Sequence, residues 1–148
     1  MKRIFAGGLF ALSAFASSAV ADESAWTPTV FNLDNGMEVV VVPDHRAPVV
    51  THMVWYKVGA VDEAEGKSGI AHLFEHVMFK ETDDLAPGEF DSIVSRNGGV
   101  SNAFTSWDYT AYFERVAKDQ LGTMMALEAE RMTDLVINDD PNGPFISE

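Results

Sequence analysis

The chain has 148 residues, is 47% hydrophobic and carries 10 basic against 23 acidic residues, a net charge of −13. That is one domain's length with enough apolar content for a packed core, and the acidic balance excludes the basic face that nucleic acid or an anionic lipid surface would require. With no cysteine, disulfides, thiolate metal sites and cysteine nucleophiles are excluded, and any metal must be held by His, Asp or Glu.

Residues 1–21 read as a secretory signal peptide. Lys2 and Arg3 form a basic start, residues 4–15 are apolar and small, and Ala19-Val20-Ala21 is a cleavage triplet. The apolar run is too short to span a bilayer comfortably, so the expectation is export with cleavage after Ala21 and no stable membrane anchor. Residues 22–28 read as a linker. From residue 29 the pattern is β. The Asp34-Asn35-Gly36 triplet is a tight-turn signal between extended pieces, and the β-branched run at 39–42 reads as a strand buried on both faces. A further strand is expected over 49–58.

A loop at 63–69 leads into a helix to about residue 80, with Ser68 as its expected N-cap. An acidic loop follows. Pro87 suits the first turn of a second helix, which Asn97-Gly98-Gly99 stops. Residues 100–116 are again extended, rich in aromatics and threonine. A third helix is expected over 118–135, with Leu121, Met125, Glu128, Met132 and Leu135 on one stripe and Glu130 toward solvent. This order predicts an α+β fold, a two-layer sandwich with helices packed on one face of a mainly antiparallel sheet. Residues 29–148 are expected to be the N-terminal portion of an incomplete domain, because nothing at 145–148 has the composition of a turn or tail.

The chemistry sits in the first helix. At about 100° per residue, with His72 at zero, His76 falls near ~40° and Glu75 near ~300°, while Ile70, Leu73, Phe74 and Val77 fall between roughly 100° and 200°. One side is therefore expected to face the core and the other to present two imidazoles and a carboxylate. Histidines at i and i+4 stand one turn apart and can grip one cation. Zinc suits a site without cysteine, and a catalytic zinc takes three protein ligands. Glu75 is placed to act as general base, taking a proton from the attacking water and passing it to the leaving amine. His45 and His52 lack ligand spacing and are expected to be structural. Residues 65–68, "EGKS", lack the glycine a phosphate loop needs, since position 61 is Val.

His72-x-x-Glu75-His76 is the H-x-x-E-H signature of the inverzincins. "SGIAHLFEHVMFK", "NGGVSNAFTSWDYTAYF" and "MALEAERMTDL" resemble the zinc helix, the following strand and the next helix of the pitrilysin, insulysin and mitochondrial-processing-peptidase family, especially its exported bacterial members. The resemblance covers the chain from about Thr29. It implies a zinc metalloendopeptidase with one Zn2+ per active site, His72 and His76 as metal ligands and Glu75 as the catalytic base. It also implies that Asn102, Ala103 and Phe104 bind substrate by β-augmentation.

The resemblance further implies a third ligand, a glutamate in a segment like E-R-x-x-V-x-x-E. Glu148 stands where the first, supporting glutamate of that segment would fall, so the ligand itself is expected beyond residue 148, with Glu148 as the alternative if the register differs. Glu128 is the rival ligand. Its expected roles are a contact supporting a zinc-bound histidine or a pairing with Arg131 or Arg115. The expected setting is the periplasm, with a peptide or unfolded protein as substrate and a homodimer or a heterodimer with a related non-catalytic subunit. This piece alone is expected to be inactive. The competing function is a non-catalytic assembly or chaperone-like subunit that keeps the fold.

Overall fold

The computed structural model describes residues 27–137. The signal peptide at 1–21, most of the 22–28 linker and Glu148 lie outside them. The chain divides into two compact units, one ending at His45 and the other starting at Arg46.

In the first unit, β1 (Thr29–Asn32) pairs antiparallel with β2 (Glu38–Val41). Their turn is closed by Leu33 N–H to Met37 O and Gly36 N–H to Leu33 O, both 2.9 Å. Asn35 Oδ1 accepts from Met37 N–H at 3.0 Å, as an Asx side chain does in a tight turn. The valine run does not form a strand buried on both faces. Among the described residues β2 pairs with β1 alone, and Val40 is 53% exposed. β-branching favours the pleated backbone and does not by itself report burial.

The second unit is a sandwich. A three-stranded antiparallel sheet has the order β3 (Val49–Tyr56), β5 (Thr110–Ala117), β4 (Val100–Thr105). The extended run at 100–116 is thus two strands, joined by a turn in which Ser106 N–H donates to Tyr109 O at 2.8 Å. The registers Thr51↔Arg115 and Val100↔Arg115 put odd-numbered β3 residues on one face. The other face carries His52, Tyr56, Glu114, Tyr112, Ser101 and Thr105. Helices α1 (Ile70–Val77) and α2 (Glu89–Arg96) lie against β4, and α3 (Leu121–Thr133) against β3 and β5. The packed core is Leu85, Phe90, Val94, Val116, Met124 and Leu127. At Gly99 an added Cβ would stand 2.4 Å from Val116 Cγ1, so the double glycine ends α2 and lets β4 approach its partner.

Three helix expectations shift. Helix α1 starts after Gly69, not Ser68, and α2 starts after Gly88, beyond Pro87. In α3 the buried stripe is Met124, Leu127, Glu128 and Arg131, while Met125 is 52% exposed. Glu130 is half-buried and accepts a hydrogen bond from Thr82. Among the described residues no helix is long and apolar enough to cross a membrane.

Candidate metal centre

Helix α1 is held at its start by Glu63. Gly69 N–H donates to its Oε2 and Ala71 N–H to its Oε1, each at 2.9 Å. A carboxylate there fills two orphan amide donors and complements the positive end of the helix. Ala71 and Val77 are the buried positions of α1. The expected apolar side is only partly covered: Ile70, Leu73 and Phe74 remain exposed, and Ile70, Phe74 and Met78 border a cavity of ≈ 420 Å³ with Tyr56 and Tyr112.

The opposite side carries the reactive groups. His72 Nε2 and His76 Nε2 are 3.3 Å apart, and the rings meet edge-on with centroids 4.8 Å apart. Both ring nitrogens therefore converge on one point. Glu75 and His76 line a cleft of ≈ 250 Å³ together with Phe79, Asp91, Ser101 and Asn102. Asn102 thus borders the site. Ala103 and Phe104 follow it on β4, which among the described residues pairs with β5 on one side only. Asn102 Oδ1 accepts from the Ala103 N–H at 2.8 Å.

Glu75 Oε2 accepts a hydrogen bond from Thr105 Oγ1, at the end of β4. Thr110, opposite Thr105 in the ladder, donates its hydroxyl to Val58 O at 3.0 Å. The turn beyond Thr105 is fastened to the segment before α1. Ala60 N–H donates to Ser106 O at 3.0 Å and Val61 N–H to Trp107 O at 2.8 Å. Gly59 is required for that approach, since a Cβ would stand 2.6 Å from both carbonyl oxygens. Sequence reading missed Glu63 and Thr105. Glu63 shows only as an acid upstream of the helix, and strand alternation puts Thr105 on the face of Ser101 and Ala103 without naming its partner.

A second polar cluster lies elsewhere. His52, Glu114 and Glu128 bring three ligand-type atoms within 4.8 Å of one another, but the cation among them is Arg131. Its Nε donates to Glu128 Oε2 at 2.9 Å, its Nη2 contacts Glu128 Oε1, and the same Nη2 lies 3.6 Å from Glu114 Oε1. The rings of Tyr112, Phe90 and Phe79 face its Cζ at 4.4, 4.5 and 5.2 Å. Of the alternatives for Glu128, this is the pairing with Arg131. His52 Nδ1 is 3.2 Å from Glu114 Oε2, which gives that histidine a structural partner.

Burial pushes Glu128 up to about 8, reinforced by its hydrogen bond with Glu114 and opposed by Arg131. Burial also works to raise Glu114, but hydrogen bonds with His52 and Glu128 and the charge of Arg131 hold it below the ordinary carboxylate value. One proton shared by the pair, resting on Glu128, explains both directions. Glu114 Oε1 itself has no hydrogen-bond partner among the described residues and faces Arg131 Nη2 only as an ion pair at 3.6 Å.

Residues 38–140 match the family described as Insulinase (Peptidase family M16). The chain is 49% identical over 109 residues to a protein named zinc protease PqqE from Helicobacter pylori, covering 73% of this chain and 24% of that one. It is 33% identical over 93 residues to the mitochondrial-processing peptidase subunit beta of Dictyostelium discoideum, covering 62% and 20% respectively. The chain thus spans about a quarter or less of the length of these relatives. Among solved structures, a protease from Helicobacter pylori superposes with a TM-score of 0.75 at 45% identity, covering 78% of this chain and 28% of that one. The first half of the periplasmic protease PqqL from Escherichia coli shares the fold, with a TM-score of 0.67 at 24% identity over 74% of this chain and 25% of that one. With the sandwich, the paired imidazoles and the match over residues 38–140 together, the chain belongs to the insulinase-type peptidase family M16.

Proposed function

We propose that this chain carries two zinc ligands and the general base of an exported metalloendopeptidase. The observation that carries the reading is the 3.3 Å separation of His72 Nε2 and His76 Nε2. Two imidazole nitrogens at ordinary zinc distances in a tetrahedral site stand about 3.3–3.4 Å apart, so the pair fits that ion as it stands. Among the described residues, the only cluster of three ligand-type side chains is the one around Arg131. A third ligand is proposed beyond residue 148, with Glu148 as the alternative, and the support for a longer polypeptide is that the chain spans about a quarter or less of the relatives it matches. Activity is assigned to that longer protein.

Zinc, when bound, supplies a Lewis acid for the scissile carbonyl and lowers the pKa of coordinated water. His72 and His76 would hold it. Glu75 takes the proton from the attacking water and returns it to the leaving amine. Thr105 engages Oε2, so Oε1 is the oxygen turned to that task. The peptide lies along the open side of β4 at Asn102, Ala103 and Phe104, its main chain replacing the Asn102 side chain at the Ala103 amide. The proposed location is the periplasm, after removal of residues 1–21. The proposed substrates are peptides or unfolded chains, and a homodimer or a pairing with a related non-catalytic subunit is the proposed assembly.

The test is zinc content and peptide cleavage by the full-length protein beside Glu75→Gln. Bound zinc with cleavage lost in the variant supports the reading. Equal cleavage by both removes the general base, and bound substrate without cleavage by either leaves the scaffold function.

A further inference from the structure

We propose that Thr105 is a positioning residue for Glu75. Its hydroxyl fixes the orientation of the carboxylate and sets it in register with the peptide-binding strand. The inference rests on the reading of Glu75 as general base and deepens it.

Glu75 is half-buried on α1, and its Oε2 is engaged by the Thr105 hydroxyl. A carboxylate on a helix swings about three side-chain torsions. A hydrogen bond from a neighbouring element removes much of that freedom, and a threonine suits this because its branched Cβ restricts χ1. The frame behind the hydroxyl is also fixed. Thr105 pairs with Thr110 in the ladder, and Thr110 is tied to Val58 O. The carbonyls of the next two residues accept hydrogen bonds from the amides of Ala60 and Val61. Asn102, Ala103 and Phe104 are the three residues before Thr105 on the same strand. A peptide added to that strand and the base that serves it are thus indexed to one stretch of backbone. Such alignment is what lets a proton transfer occur without reorganisation.

The experiment compares Thr105→Val, Thr105→Ser and Glu75→Gln in the full-length zinc-loaded protein. Thr105→Val is expected to lower kcat about 10- to 100-fold with KM changed less than about twofold, as for a group that acts on the transition state alone. Thr105→Ser, which keeps the hydroxyl, is expected to recover most of that loss, and zinc content is expected to equal the wild type in both. A readout without metal is a double-mutant cycle on thermal unfolding. Thr105→Val should lower Tm more in the native background than when Glu75 is already Ala. If Thr105→Val does not fold, Thr105→Ala reads the same loss. Full kcat in Thr105→Val, a serine variant as impaired as the valine one, or additive Tm changes would overturn the proposal. Cleavage retained by Glu75→Gln would instead remove the general base itself, whatever Thr105 does.

Discussion

The Ala71 amide donates a 2.9 Å hydrogen bond to Glu63 Oε1, across a loop that separates the two residues by eight positions. The carboxylate does for α1 what a cap residue at the helix start would do. Glu63→Ala is expected to lower unfolding stability by about 1 kcal/mol, with Glu63→Gln in between because it keeps an acceptor and loses the charge. Urea midpoints check this. Equal midpoints for wild type and alanine variant would mean another group caps the helix.

Gly59 has no room for a methyl group, since both neighbours of its absent Cβ are backbone oxygens. Gly59→Ala is expected to cost about 2 kcal/mol or more and to loosen the hydrogen bonds of Ala60 and Val61. Amide exchange at those two positions, measured with the urea midpoint, reads both effects. Unchanged protection would show that the turn gives way without cost.

Removing the buried cation should be far worse than replacing the carboxyl group nearest to it. Arg131→Met leaves Glu114 uncompensated and is expected to destabilise by about 3–5 kcal/mol. Glu128→Gln mimics the protonated acid that this residue holds and is expected to cost under about 1 kcal/mol at neutral pH. Comparable midpoints for the two variants would contradict the shared-proton arrangement.

The same pair fixes a pH dependence. Glu128 sits at about 8 in the folded protein against an ordinary 4.5, so between those values the native state holds a proton the unfolded chain has released. Stability from this group therefore falls as pH rises through that window. Glu114 acts oppositely. Its folded value lies below 4.5, so its contribution is lost as pH falls below the ordinary carboxylate range. Between pH 5 and 8 the wild type should lose on the order of 2–4 kcal/mol relative to Glu128→Gln. Paired urea titrations measure the difference. A pH-independent gap would place the proton elsewhere.

The reactive face of α1 was legible because i, i+4 spacing translates directly into three dimensions, as His72 and His76 show. The sandwich followed from element order. The buried stripe of α3 was not legible. Leu121, Met124, Met125, Leu127 and Met132 leave two faces open, and hydrophobicity assigns Arg131 outward. What decides is the nest formed by Glu128, Glu114 and three rings, and most of those partners lie on other elements. Thr105 was hidden for the same reason, since its partner is thirty residues away in the chain.

The fastening of the 106–109 turn to the Gly59 segment reaches further than the turn itself. Trp107, 71% exposed, stands at the surface end of a short linkage. Its carbonyl holds Val61, two residues further on Glu63 grips Gly69 and Ala71, and from there the histidine helix runs on. From Trp107 to the start of the histidine helix there is thus a continuous path of hydrogen bonds and main chain. The surface turn and the helix of the imidazole pair share one run of backbone fastenings.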